Sequence, residues 1–94
     1  MSPETAALLQ KYMRNNVASV YGDNNFPGLT VCAKSGTAEV GGDKQPHAWF
    51  VGFIAEESKP YAVAVIVENA GTGAGVAVPI ARQILEACPE IDYE

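Results

Sequence analysis

Two kinds of hydrophobic spacing alternate along this chain, one helical and one strand-like. Near the start, Ala6, Leu9, Met13, Val17 and Val20 recur at intervals of three and four, which gathers them on one face of a helix. Ser2 suits the N-cap, Pro3 the first helical position, and Glu4 complements the positive end of the helix dipole. These positions predict a helix over residues 3 to about 20. Gly22, Asp23, Asn24 and Asn25, followed by Pro27-Gly28, are a dense group of turn formers that ends it.

Three strands follow, over residues 29 to about 38, 47–55 and 61–68. In the first, Leu29, Val31 and Ala33 share one face, and Thr30, Cys32 and Lys34 the other. The connections, Gly41-Gly42-Asp43 to Pro46 and Glu56-Glu57-Ser58-Lys59-Pro60, are short enough to imply an antiparallel meander. Alternation is weak in the last two strands: Phe50 and Ile54 interrupt Trp49, Val51 and Phe53, and Val63, Val65 and Val67 alternate with Ala62, Ala64 and Ile66. Strands that are apolar on both sides are expected to be covered on both sides. After a Gly71–Gly75 loop, Ala77, Ile80, Ala81, Ile84 and Cys88 mark a second helix. Pro79 fits a helix interior poorly, which sets the helix at about 78–88. The acidic tail from Pro89 reads as frayed. The prediction is an α+β fold in the order αβββα, a three-stranded antiparallel meander with a helix on each face. Residues 61–67 are uncharged, β-prone and at a sheet edge, so the isolated chain is expected to associate with itself there or by swapping helices.

Composition sharpens this picture. Apolar residues make up 48% of the 94 positions and charged residues 18%, against about 25% charged in a typical soluble domain. So short a chain buries a small share of its surface and should carry more charge, not less, so some apolar surface expects a partner. Eleven acidic against six basic residues give a net charge of −5, which argues against nucleic-acid binding, where a basic face is needed. The longest uninterrupted apolar run is residues 61–67, far short of the roughly 20 residues of a membrane span. Cys32 and Cys88 are too few for a disulfide framework and lack metal-ligand spacing.

The segment richest in chemistry is Lys34-Ser35-Gly36-Thr37, late in the first strand. It offers a cation, two hydroxyls and, at Gly36, backbone that another chain can approach closely. A strand edge of this kind can bind an extended peptide by strand addition while the lysine and a hydroxyl hold a carboxylate. The four residues taken alone favour the simpler reading, a solvated Lys-Ser near a strand end. Their context resembles the penicillin-binding proteins and serine β-lactamases, whose Lys-Thr/Ser-Gly motif this is. Pro27-Gly28-Leu29-Thr30-Val31-Cys32-Ala33-Lys34-Ser35-Gly36-Thr37-Ala38-Glu39 resembles the motif strand of a peptidoglycan transpeptidase, and His47-Ala48-Trp49-Phe50-Val51-Gly52-Phe53 the strand after it. Residues 61–68, the Gly71–Gly75 loop and Ala77-Val78-Pro79-Ile80-Ala81-Arg82 are similar to that family's last strand and closing helix. Ser2-Pro3-Glu4-Thr5-Ala6 is similar to the helix before the motif strand.

The resemblance implies the C-terminal part of a β-lactamase/transpeptidase-like domain. It implies that Lys34 lines an acyl-transfer site and that Ser35, with Thr37, holds the carboxylate of a D-Ala-D-Ala stem peptide or a β-lactam. It further implies that Gly36 lets substrate lie against the strand and that the Thr37 backbone N–H is half of an oxyanion hole. No cofactor or metal is implied, and the parent protein would be membrane-anchored with this domain on the extracytoplasmic face. The chain departs from the family pattern in one decisive respect. Its serines are Ser2, Ser19, Ser35 and Ser58, and three places on stand Thr5, Gly22, Ala38 and Tyr61, so the nucleophile motif Ser-x-x-Lys is absent. Ser-x-Asn is absent too, with Glu4, Tyr21, Thr37 and Pro60 two places on. The expectation is therefore part of a D,D-transpeptidase, inactive alone, its partner being the missing N-terminal part of the same domain. A non-catalytic peptide- or β-lactam-binding module, and a β-lactamase or β-lactam-sensor homologue, are the alternatives.

Other candidates are weaker. His47 has no nucleophile spaced to use it and reads as structural. The Gly71-x-Gly73-x-Gly75 run lacks the lysine and spacing of a phosphate loop and reads as a turn. Trp49, Phe50 and Phe53 read as core, Cys32 as a small buried hydrophobe, and Glu56-Glu57 as a solvated pair.

Overall fold

The computed structural model describes residues 1–71 and 73–93. Part of the Gly71–Gly75 reading, at Thr72, lies outside the described residues. The elements are α1 (Pro3–Asn16), a π-helical turn (Val17–Tyr21), a short 3₁₀ turn (Asp23–Asn25), β1 (Val31–Ala38), β2 (His47–Ile54), β3 (Ala62–Val67) and α2 (Gly73–Ala87). The sheet is antiparallel in the order β1-β2-β3, and the αβββα order matches the sequence expectation.

The start of α1 is as the sequence predicts: Ser2 Oγ accepts the Thr5 N–H at 3.1 Å, with Pro3 and Glu4 in the first turn. Its end is not. The regular helix stops at Asn16, and the Gly22 N–H reaches back to the Val17 carbonyl at 2.7 Å, an i→i+5 closure. Gly22 sits at φ +87°, which only glycine adopts without strain. The wider turn rotates the stripe: Val17 is fully buried, while Val20, assigned to the same face by a 3.6-residue period, is 67% exposed.

The register pairs Ser35 with Phe50, and Phe50 with Val65, across the sheet. On this face Val31, Ala33, Ala48, Phe50, Ile54 and Val65 join Ala77, Val78, Ala81 and Leu85 of α2, together with Val17 and Phe26, in a single core. Phe50 is its centre, with ring centroids 6.0 Å from Phe26 and 6.4 Å from Tyr21. The opposite face is less covered than two apolar-sided strands predict. There α1 reaches the sheet through β1, leaving Val51 41% and Ile66 70% exposed. Leu8, Leu9 and Tyr12 of α1 are exposed as well.

Two further expectations change. The second helix begins at Gly73, five residues before the predicted start, so Pro79 lies in its interior. The carbonyl that Pro79 leaves without a helical partner is that of Gly75, and both residues are exposed, so water can meet it. The tail is docked, not frayed: Ile91 N–H donates to Ser58 O at 2.7 Å, Tyr93 Oη to Glu57 O at 2.7 Å, and Tyr61 Oη to Pro89 O at 2.9 Å.

Both cysteines are free; Cys32 is buried beneath the end of α1 and Cys88 is half-buried. Burial pushes the Cys32 thiol above its ordinary value of 9.0, partly offset by the Arg14 guanidinium. A disulfide-exchange reagent at neutral pH should therefore titrate one thiol, Cys88, with the second appearing only in denaturant; two fast thiols would show that Cys32 is accessible. Well below pH 9.0 the thiol is neutral folded or unfolded. As pH rises past that value the unfolded chain releases the proton first, so stability falls. The stability difference between wild type and Cys32→Ala in urea should shrink over that range, and a difference constant with pH would contradict the burial.

Candidate site on the outer edge of the first strand

β1 pairs with β2 on one side only, and its other edge carries the Lys34–Thr37 segment. In an antiparallel strand successive residues turn their N–H and C=O to alternate sides. The outward positions are identified by their partners. Val31 O accepts from Arg14 Nη1, Ala33 O from Asn16 Nδ2 at 2.9 Å, and Ser35 N–H donates to Tyr21 Oη at 2.7 Å. Thr37 is next in this alternation, so its N–H and C=O project from the same edge. The end of α1 and the π turn thus seal the edge as far as Ser35.

The motif side chains divide between the faces. Ser35 is on the core face, 7% exposed, with Oγ 2.6 Å from Tyr21 Oη. Lys34 is exposed on the opposite face and its Nζ donates to the Ser35 carbonyl at 2.7 Å. Thr37 is exposed. A Cβ at Gly36 would collide with the Trp49 indole, its cross-strand partner, so the bare backbone there seats this ring. Beside Lys34 a groove of about 490 Å³ runs between α1 and the sheet, lined mainly by apolar groups of Leu9, Tyr12, Met13 and Val51. It is an apolar surface, unsuited to an anion.

Other candidates are brought elsewhere. His47 Nδ1 accepts the Asn69 N–H at 2.9 Å and anchors the turn after β3, with Asn69 at φ +53°. Among the described residues no group of three His, Cys, Asp or Glu side chains could hold a metal ion, and no helix is long and apolar enough to cross a membrane. The residues that sequence reasoning missed are Arg14, Asn16 and Tyr21. As polar residues at or beyond the margin of the stripe Ala6, Leu9, Met13, Val17 and Val20 they carry no signal of their own, and the π turn brings Tyr21 to the strand.

The family model for the penicillin-binding protein transpeptidase domain matches residues 1–86. The chain belongs to this family. It is 37% identical over 95 aligned residues to peptidoglycan D,D-transpeptidase PbpA of Mycobacterium tuberculosis, covering 93% of the chain and 19% of that protein. It is 32% identical over 80 residues to peptidoglycan D,D-transpeptidase MrdA of Haemophilus influenzae, covering 70% of the chain and 12% of that protein. Among solved structures, penicillin-binding protein A from M. tuberculosis in an imipenem acyl-enzyme complex superposes with a TM-score of 0.75 at 39% identity, over 93% of this chain and 20% of that one. Pseudomonas aeruginosa PBP2 in complex with WCK 5153 gives 0.76 at 34% identity, over 92% and 19%. The chain thus spans about a fifth of the length of PbpA, and α+β fragments of transpeptidase domains share its fold.

Gly36→Ala should displace the indole of Trp49, the single tryptophan. The expected result is a shifted emission maximum and a loss of about 1–3 kcal/mol in urea unfolding. Unchanged emission and stability would show that the ring does not rest on this glycine.

Proposed function

We propose that this chain is the C-terminal part of a D,D-transpeptidase domain and supplies the anion-binding edge of a serine acyl-enzyme site. The observation that carries the reading is the placement of the Lys34–Thr37 segment on the edge of β1 that faces away from β2, where side chains of α1 and the π turn meet the backbone at Val31, Ala33 and Ser35. The names of the relatives, and the acyl-enzyme in one structural neighbour, support it. The proposed ligands are the D-Ala-D-Ala end of a peptidoglycan stem peptide and β-lactams, bound outside the cytoplasmic membrane in a membrane-anchored parent.

In the proposed reaction, a serine from another part of the domain attacks the penultimate D-Ala carbonyl. A serine Oγ–carbon bond forms, the amide C–N bond breaks, and D-Ala leaves carrying the proton. An amine of a neighbouring stem peptide then attacks the ester: a new C–N bond forms, the serine Oγ–carbon bond breaks, and the amine's proton returns to the serine oxygen. Charge develops on the carbonyl oxygen in both steps, and in this reading the backbone N–H of Thr37 donates to it. Ser35 and Thr37 hydroxyls hold the terminal carboxylate, with the Lys34 ammonium adding a charge-assisted contact. Lacking Ser-x-x-Lys, the chain cannot perform this chemistry alone. The apolar groove beside Lys34 and the open sheet face are where the rest of the domain packs. In isolation, the edge of β3 is where copies of the chain pair.

With fluorescent penicillin, the isolated 94-residue chain should acquire no covalent label and should sediment as an oligomer. The full-length protein carrying it should label, and Lys34→Ala there should slow acylation by about 10²-fold. Covalent label on the isolated chain would refute the reading. Saturable non-covalent binding to it, lost in Lys34→Ala, would favour a stand-alone receptor, and rapid turnover of penicillin by the full-length protein a β-lactamase.

A further inference from the structure

We propose that Tyr21 is a positioning residue that sets the direction of the Ser35 hydroxyl proton. The proposal rests on the carboxylate-binding reading above and adds a residue outside the motif. The phenolic oxygen of Tyr21 has three polar neighbours: Ser35 N–H at 2.7 Å, Asn16 Nδ2 at 3.1 Å and Ser35 Oγ at 2.6 Å. The first two can only donate to it. A phenol accepts at most two hydrogen bonds and donates one, so its own proton goes to Ser35 Oγ. The Ser35 hydroxyl's own proton is then not spent on Tyr21 and is left to donate to a third atom that accepts. A carboxylate is acceptor-only, so this polarity is the one it requires.

The tyrosine is itself held in place. Asn25 Nδ2 donates to its carbonyl at 2.6 Å, its ring packs against Phe50, and Asn16 spans from Tyr21 Oη to the Ala33 carbonyl. The same oxygen takes the outward Ser35 N–H, which would otherwise be the next backbone donor for an added strand. An extended ligand on this edge therefore does not take its backbone pairing from Ser35 N–H.

The test is Tyr21→Phe in the full-length protein, which keeps the ring contact and removes the oxygen. Acylation rates are measured with a penicillin and with its methyl ester, which lacks the carboxylate. The penicillin rate should fall about tenfold, the loss of one well-placed hydrogen bond, with the ester rate unchanged. Ser35→Ala should lower the same ratio, and adding Tyr21→Phe to it should cost nothing more. Equal slowing of both substrates, or additive effects in the double variant, would show a merely structural role and overturn the proposal. A wild-type protein that acylates with neither substrate would instead overturn the functional reading, and this proposal with it.

Discussion

A sheet edge cannot be buried with its peptide groups unmet, and in this molecule that constraint falls on the outer edge of β1. Arg14, Asn16 and Tyr21 each spend a polar group on it, at Val31, Ala33 and Ser35 in turn. Three side chains from one helix end take the place of a neighbouring strand. Much else depends on their reach. Tyr21 arrives only because the chain widens into a π turn after Asn16 and closes at Gly22. Arg14 also pairs with Asp23, tying that turn to the helix it terminates. How far the helix end covers this edge is therefore set by local chain geometry, and its last contact, at Ser35, falls inside the Lys34–Thr37 segment.

The same arrangement separates two surfaces of different character. On the core side, Phe50 gathers Phe26, Tyr21 and the inner face of α2 into a packed interior. On the other side, α1 packs mainly on the first strand and leaves Val51, Ile66 and its own Leu8 and Leu9 exposed. Apolar area left open to water on this scale contributes nothing to the stability of a chain so short. It gives physical content to the low charge, and it agrees with a chain that spans a fifth of its relatives.

Much of the fold was legible because its signals are local. The cap at Ser2, the turn cluster after Gly22 and the three apolar runs each act over a few residues, and the strands lie within two residues of their predicted limits. The failures were where distant contacts overrule local rules. Val20 lost its place to an inserted residue in the turn, Pro79 stands at an exposed position inside a helix, and the acidic tail is held by carbonyls of the β2–β3 turn. At the site, Lys34, Ser35 and Thr37 could be read as a motif. Their partner Tyr21 could not, since no period or spacing links a residue of the helix end to the middle of the next strand. Gly36 also has a structural use that the motif does not announce, since a Cβ there would meet the Trp49 ring.

The central claim is that this edge, sealed to Ser35, is the anion- and oxyanion-binding side of an acyl-enzyme. The most direct measurement is a crystal structure of the full-length protein acylated by a β-lactam. The account predicts the β-lactam carboxylate on the Ser35 and Thr37 hydroxyls and the acyl oxygen facing the Thr37 N–H, with Tyr21 Oη still bonded to Ser35. An adduct whose carboxylate and acyl oxygen both lie away from β1 would contradict it.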